Sequence, residues 1–177
     1  MAKTALVCLW MAAAWLAADS GAGLRWTAPS GWKAEAERPM RLATYTIAAA
    51  PGDKAGGECG VYYFGPGQGG GVEANLDRWI GQFLQADSKP SRTAAKIETR
   101  TLHGLKITSV DVSGAYTGMG GPMAKPGPAV PGYRLLGAIV EGPNGSVFLK
   151  FTGLAATVAR NRTAFDKMLS SFEPANR

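Results

Sequence analysis

Cys59 and His103 are the residues of this sequence best suited to nucleophilic chemistry. They are the only cysteine and histidine that remain if an N-terminal leader is removed, as argued below. A cysteine nucleophile needs an activating base and an accessible, electropositive setting. Cys59 lies in an apolar, strand-like run, and His103 lies where a tight turn is expected. We therefore expect a buried, inert thiol and a histidine without a catalytic role. A small extracytoplasmic thiol enzyme is the alternative.

The scarcity of cysteine and histidine also argues against serine-triad and metal chemistry. No G-x-S-x-G elbow occurs, and a structural zinc site needs more Cys and His than this chain has. Met119 and Met123, together with Cys59 or His103, are a possible copper(I) set, because thioether and thiolate groups are soft ligands. Two methionines in a glycine-rich stretch are poor evidence for it. We predict no catalytic residue, no metal and no cofactor.

The segment Gly65–Gly70 formally matches the dinucleotide-binding pattern G-x-G-x-x-G between a strand and a helix. That site needs a parallel βαβ unit, whereas the strands around this segment are predicted to be antiparallel. No Lys-Ser/Thr pair follows that would make a phosphate-binding loop. The glycines instead predict a reversal of the chain that aims the following helix back onto the sheet.

Carboxylate and aromatic side chains give no clear site either. No spacing selects a catalytic pair from the carboxylates Glu35, Glu37, Glu58, Glu73, Asp77 and Asp111. A carboxylate-based enzyme would need two of them in a deep pocket with a raised pKa. The aromatic residues could form a sugar-stacking platform, but their places on strands and on one helix face favour packing. These are Trp26, Trp32, Tyr45, Tyr62, Tyr63, Trp79 and Tyr133.

The N-terminus has the pattern of a secretory signal. Lys3 precedes an uncharged apolar run, Thr4–Ala18, and small residues follow it, so cleavage is expected after Ala18 or after Ala22. The run is shorter than the roughly 20 residues of a membrane span, which argues against the alternative of an uncleaved anchor. We predict a signal peptide over residues 1–22 and an exported domain over 23–177, periplasmic or secreted. No later segment is predicted to span a membrane.

The charge pattern says little about partners. The chain has a formal net charge of +6, and removal of residues 1–22 takes away one lysine and one aspartate, which leaves that charge unchanged. A basic balance favours anionic lipid, polysaccharide or nucleic acid, but these basic residues are scattered singly, which is typical of a solvated surface. We expect an envelope protein or an anionic ligand as the partner, and no nucleic acid.

The hydrophobic pattern predicts an α+β domain with a largely antiparallel sheet packed with two helices. An apolar stripe at helical spacing predicts a helix over 72–84, and a second helix is predicted over 154–172. His103-Gly104 sits where a two-residue hairpin turn belongs. The predicted strands cover residues 24–28, 40–47, 59–64, 96–102, 105–112, 133–140 and 147–152.

Residues 113–132 form a predicted loop with six glycines and four prolines. Structureless loops of this length are uncommon in compact domains and are usually functional or disordered. We predict that partners are met here, through the apolar side chains of Tyr116, Met119, Met123 and Val130. The alternative is a solvated insertion without a role.

The opening L-x-W-x-x-P-x-G-W, formed by Leu24, Trp26, Pro29, Gly31 and Trp32, resembles the PsbP-like superfamily. The order of strands and helices resembles that group over nearly all of the mature chain. The resemblance implies a PsbP-like sandwich and the role of an exported, non-catalytic binding or accessory protein. It carries no catalytic residues, because members of the group share none.

Overall fold

A computed structural model of the chain describes residues 19–118 and 127–175. Its strands are β1 (Asp19–Gly21), β2 (Leu24–Trp26), β3 (Lys33–Ala34), β4 (Arg41–Ile47), β5 (Gly57–Tyr62), β6 (Phe83–Leu84), β7 (Lys96–Leu102), β8 (Leu105–Tyr116), β9 (Val130–Gly142), β10 (Gly145–Leu154) and β11 (Glu173–Pro174). Its α-helices are α1 (Val72–Ile80), α2 (Ala155–Arg160) and α3 (Arg162–Ser170), and Ser91–Thr93 is a turn of 3₁₀-helix. No helix within these two ranges is long and apolar enough to cross a membrane.

One eight-stranded sheet dominates the fold. Its order is β3-β4-β5-β10-β9-β8-β6, and β7 also pairs with β8. Strands β1, β2 and β11 form a separate three-stranded sheet. Every strand pairing in the described residues is antiparallel. The predicted α+β class with a largely antiparallel sheet is therefore confirmed.

Each face of the large sheet has its own apolar core. Helices α2 and α3 cover one face, where Phe165, Leu169 and Phe172 pack against buried strand residues that include Cys59 and Val61. Helix α1 covers part of the other face; the buried residues there are Leu76, Trp79, Ile80, Phe83, Val110, Val112, Tyr116, Leu135, Ile139 and Phe148. Strands β9 and β10 lie in the centre of the sheet and are apolar on both faces, as a strand between two packed layers must be.

The first predicted helix is too long at its C-terminal end. Helix α1 ends at Ile80, and Gly81 is its cap. Phe83 and Leu84 continue the helical spacing in sequence but pair as strand β6 with Tyr116 and Ala115. Because a glycine weakens the last helical turn, the sheet edge competes successfully for these two residues.

The second predicted helix is broken. Asn161 lies between α2 and α3 with a φ of −99°, and its side-chain amide donates to the carbonyl oxygen of Thr157 at 2.9 Å. A side chain that bonds to the nearby backbone competes with helical hydrogen bonding, which explains the interruption. The last residues, Glu173–Pro174, leave the helix and pair with Leu24–Arg25.

Two glycine turns follow the prediction. His103 and Gly104 both have positive φ, 51° and 79°, as the two-residue turn between β7 and β8 requires. In the segment between β5 and α1, Gly65, Gly67, Gly69 and Gly70 have positive φ as well. This reversal joins a strand with two antiparallel neighbours to α1, so the dinucleotide-binding arrangement is absent here.

The long glycine- and proline-rich loop is shorter than predicted. Strand β8 runs on to Tyr116 and β9 begins at Val130, and these two residues are cross-strand partners. Their backbone hydrogen bonds in the sheet outweigh the weak strand preference of the glycines around them. The connection between the strands therefore covers 117–129.

Candidate functional site

An open pocket lies on the α1 face of the sheet, in the part that α1 does not cover. It has a volume of about 440 Å³. Strands β4, β5, β8, β9 and β10 all contribute to it. Its lining residues are Arg41, Gly56, Gly57, Glu58, Tyr62, Tyr116, Gly118, Tyr133, Lys150, Thr152 and Gly153. A volume of this order is typical of small-ligand sites.

Lys150 lies in β10 and lines the pocket on the side that the sheet forms. Its cross-strand neighbours are glycines on both sides, Gly60 in β5 and Gly137 in β9. A Cβ atom at Gly60 would lie 2.6 Å from the Tyr62 ring, and one at Gly137 would lie 2.7 Å from the Trp79 ring. The two glycines therefore make room for two aromatic rings, one on each side of the lysine.

The ammonium group of Lys150 has only neutral partners in the described residues. Its Nζ donates to Oε1 of Gln82 at 2.6 Å and to the hydroxyl of Tyr116 at 3.0 Å, and it lies 5.4 Å from the centre of the Tyr116 ring. Burial lowers the pKa of Lys150 to about 8, and the positive charges of Arg78 and Arg41 act in the same direction. The site thus holds a cation that no carboxylate balances.

Glu58 is the carboxylate in the pocket lining, but other cations hold it. It accepts hydrogen bonds from Arg41 at 2.7 Å and from Arg38 at 3.1 Å. The guanidinium of Arg41 also lies over the Tyr62 ring, 4.8 Å from its centre. Since two arginines share one glutamate, this side of the pocket adds positive rather than negative charge around Lys150.

Tyrosine rings form the opposite wall. The Tyr116 ring is stacked on Tyr133, with 5.5 Å between the ring centres, and is tilted against Phe83. The Tyr116 hydroxyl donates to the carbonyl oxygen of Gly118 at 3.2 Å, and burial raises its pKa to about 12. Tyr116 therefore stays protonated at neutral pH and serves as a hydrogen-bond partner.

The predicted aromatic core is confirmed for four residues, Trp26, Trp32, Tyr45 and Trp79, which are all buried. Tyr62, Tyr63 and Tyr133 are half-buried instead. The adjacent Tyr62 and Tyr63 pack on opposite faces of the sheet, as their alternation predicts. Two of these three half-buried tyrosines, Tyr62 and Tyr133, line the pocket.

Cys59 and His103 are not brought together. Cys59 is fully buried in β5, and burial raises the pKa of its thiol. His103 lies in the β7–β8 turn, where Nδ1 is 2.9 Å from the carbonyl oxygen of Phe172. Strands β10, β9 and β8 separate β5 from β7, which at about 4.8 Å per strand puts the two backbones roughly 19 Å apart. Within the described ranges no group of three or more His, Cys, Asp or Glu side chains could hold a metal ion.

The carboxylates considered for catalysis are paired with cations rather than with each other. Glu35 lies 3.4 Å from the Lys33 ammonium, and Arg92 bridges Glu73 and Asp77 at 2.8 and 2.7 Å. Glu73 and Asp77 lie on the surface. Glu35 and Glu37 both line a pocket of about 100 Å³ beside β4. The hydrogen bond from Thr46 and the nearby Lys33 lower the pKa of Glu35, the opposite of the shift that a catalytic acid needs.

Asp111 is the centre of a half-buried ion-pair cluster on the α3 side of the sheet. Arg134 donates to both of its oxygens, at 2.8 and 2.6 Å, and Arg162 donates at 2.7 Å. Burial alone would raise the pKa of Asp111, but the two arginines outweigh it and hold the pKa below its ordinary value. The adjoining cavity, of about 30 Å³, has room for one water. These ion pairs connect β8 and β9 to the first residue of α3.

The predicted partner-binding residues fall in different places. Tyr116 is 4% exposed and belongs to the α1-side core, so it is not a free loop side chain. Val130 is half-buried at the start of β9. Met119 and Met123 lie outside the described residues. Of the two predicted residues that the structure describes, Tyr116 lines the pocket and Val130 does not.

Lys150 is the residue that the sequence interpretation missed. It interrupts the apolar run Val147–Phe151, whose other four members are all buried. A lysine between buried apolar neighbours in a central strand is the available signal, because lysine is mostly found at exposed positions. Its glycine neighbours belong to other strands, so their relation to it is visible only in the sheet register.

No protein-family model matches the sequence, and no curated protein sequence matches it significantly. Solved structures do match. Cyanobacterial PsbP (CyanoP) from Synechocystis is 11% identical, with a TM-score of 0.53 over 94% of this chain and 96% of its own. LpqN of Mycobacterium tuberculosis, which is involved in cell envelope biogenesis, is 11% identical, with a TM-score of 0.51 over 85% of this chain and 82% of its own. The chain therefore has the PsbP-like fold that its opening motif predicted.

Proposed function

We propose that this chain is an exported, non-catalytic binding or accessory protein that holds a ligand in the pocket around Lys150. Export rests on the apolar N-terminal run with small residues after it. The PsbP-like fold is compatible with a non-catalytic role, and one protein with this fold, LpqN, is involved in cell envelope biogenesis. The site of binding rests on the pocket itself.

The observation that carries the proposal is a half-buried lysine in the wall of an open pocket, whose hydrogen-bond partners among the described residues are both neutral. A buried charge costs stability unless a partner compensates it. A hydrophobic residue would serve packing better at this position. The unbalanced lysine is therefore best explained by an interaction with something that enters the pocket.

The enzyme alternative finds little support among the described residues. A thiol mechanism needs an accessible thiolate, and Cys59 is fully buried with a raised thiol pKa. A carboxylate mechanism needs a pair with separated roles, and Glu58 and Asp111 are each held by two arginines. We expect both groups to stabilise the fold.

Thr152 offers a way to block the pocket. It is half-buried, lines the pocket and lies two residues from Lys150 on the same strand face. Thr152→Trp should fill the cavity with an indole ring. Thr101→Trp, on the exposed side of β7, is the matched control. Each protein would be incubated with envelope extract and recovered, and the retained molecules would be identified by mass spectrometry.

We expect wild type and Thr101→Trp to retain the same molecules. Thr152→Trp should lose them, while its melting temperature stays close to that of wild type. Equal retention by Thr152→Trp would place binding elsewhere on the molecule. Retention of nothing by wild type would contradict the proposal directly.

A further inference from the structure

The hydrogen bonding of Lys150 is incomplete in the described residues. An ammonium group has three donors, and Gln82 and Tyr116 accept two of them. Both partners are neutral, so they satisfy hydrogen bonds without balancing the charge. The remaining donor belongs to a residue that lines the pocket. A ligand with an acceptor can complete this set.

The charges around the pocket favour a negative ligand. Arg41 and Arg78 both lie near enough to Lys150 to disfavour its charged form. Glu58 is the lining carboxylate, and it is already hydrogen-bonded to Arg38 and Arg41. With Arg41 and Lys150 against Glu58, the charged side chains of the lining sum to +1, and a positively charged cavity concentrates anions. An oxyanion next to Lys150 would supply the missing charge.

The walls favour a flat group attached to that anion. Tyr62 and Tyr133 are half-buried and line the pocket, and Tyr116 is held by stacking on Tyr133. A planar group can stack on the Tyr133 ring, on the face opposite Tyr116. The Tyr62 ring already has the Arg41 guanidinium over it and Phe64 stacked on it, so it offers its edge. Lys150 acts as a single point charge, unlike the two-pronged guanidinium, so one anionic group is enough. The glycines beside Lys150 leave room for the Tyr62 ring on one side and the Trp79 ring on the other.

From these contacts we infer that the pocket takes a small molecule with one carboxylate or phosphate group, held by Lys150, and a planar ring, held by Tyr133 and by the edge of Tyr62. The inference deepens the proposed function and rests on it. A soluble compound and a lipid headgroup can present the same anionic chemistry, and the experiment separates these two sources.

The test measures binding of defined probes to the mature protein at pH 7 by calorimetry. Phenyl phosphate and benzoate carry both features, inorganic phosphate lacks the ring, and benzyl alcohol lacks the charge. We expect saturable binding of the first two, at least tenfold weaker binding of phosphate, and no binding of benzyl alcohol. Lys150→Met should weaken phenyl phosphate binding at least tenfold. Lys96→Met, which removes an exposed lysine of β7, should leave it unchanged.

Lys150→Gln, which keeps a polar side chain at this position, serves as a second variant if Lys150→Met does not fold. Flotation with phosphatidylglycerol vesicles, compared with phosphatidylcholine vesicles, identifies the source of the anion. Flotation that depends on Lys150 would identify a lipid phosphate as the anion and would overturn the planar-ring part of the inference, because this headgroup has no ring. Probe binding without flotation supports a soluble ligand.

Three results would overturn the inference and leave the proposed function intact. The first is benzyl alcohol binding as tightly as benzoate, and the second is unchanged phenyl phosphate binding in the Lys150 variants. The third is no saturable binding of any probe up to about 10 mM, which is weaker than millimolar affinity. Unchanged probe binding in Thr152→Trp would contradict both proposals, because both place the ligand in the pocket that Thr152 lines.

Discussion

Gly137 lies directly beneath the indole ring of Trp79. A Cβ atom at this glycine would lie 2.7 Å from Cε3 of the ring and 2.9 Å from Cγ1 of Val110. Trp79 itself is 5% exposed and belongs to the α1-side core. This contact seats α1 on the sheet and sets the boundary between the covered part of that face and the open pocket at Lys150.

Gly137→Ala should therefore destabilise the protein by about 1–3 kcal/mol, the usual cost of overpacking a core. An alanine in a strand is otherwise favoured over glycine, so the sign of the change tests the contact. The measurement is chemical unfolding with a matched Gly31→Ala control, because a Cβ at Gly31 would meet nothing within 4 Å. Trp79→Phe in the Gly137→Ala background should recover part of the loss, and failure to do so would mean that the ring is not the obstacle.

The unfolding free energy should depend on pH through Lys150. Its pKa in the folded protein is about 8, below the ordinary 10.5. The unfolded chain therefore binds more protons between these values, and the Lys150 contribution to stability rises with pH across that window. The full difference corresponds to at most about 3 kcal/mol.

Comparison with Lys150→Met isolates this contribution, since Arg41, Glu58, Arg78 and the surrounding tyrosines are the same in both proteins. Wild type should gain stability relative to the variant as pH rises from about 8 to 10. Equal pH dependence of the two proteins would show that the lysine has an ordinary pKa and is well solvated.

Asp111 should stabilise the fold through its two arginines. Asp111→Asn leaves Arg134 and Arg162 without their shared carboxylate. We expect a loss of about 2 kcal/mol, less than the 3–5 kcal/mol of fully buried pairs because Arg162 is partly solvated. The pKa of Asp111 is lowered in the folded state, so its contribution is present above about pH 4 and is lost as pH falls through the folded value.

The difference between wild type and Asp111→Asn should therefore shrink in acid. Asp87→Asn is the control, since that carboxylate lies on the surface with Lys89 as its neighbour. The control should leave the melting temperature unchanged. A difference for Asp111→Asn that persists undiminished in acid would point to packing rather than charge.

The sequence predicted those parts of the fold that depend on local chemistry. The His103-Gly104 turn and the glycine reversal before α1 follow from positive φ angles that glycine tolerates. The pairing of Phe83–Leu84 with β8 was missed, because it depends on a strand edge more than 30 residues away in sequence. Lys150 was missed for the same reason, since Gly60 and Gly137 become its neighbours only after three strands pair.

The last prediction concerns the start of the mature chain, for which the sequence allows cleavage after Ala18 or after Ala22. We propose cleavage after Ala18, because strand β1 is built into the fold. Asp19–Gly21 pairs with Leu24–Trp26. The hydroxyl of Tyr45 donates to the Asp19 carboxylate and accepts a hydrogen bond from Nε1 of Trp26 at 2.9 Å.

Cleavage after Ala22 would remove Asp19 and leave the buried Tyr45 hydroxyl without its acceptor. An unsatisfied buried group costs about 1–3 kcal/mol, so a chain that begins at Asp19 should be more stable than one that begins at Gly23 by about this amount. Asp19→Ala in the longer chain is the matched control. It should reproduce most of the loss of stability, because it removes the acceptor but keeps the strand. Intact-mass analysis of the exported protein reads the cleavage site directly, and a mature form that begins at Gly23 would refute the proposal.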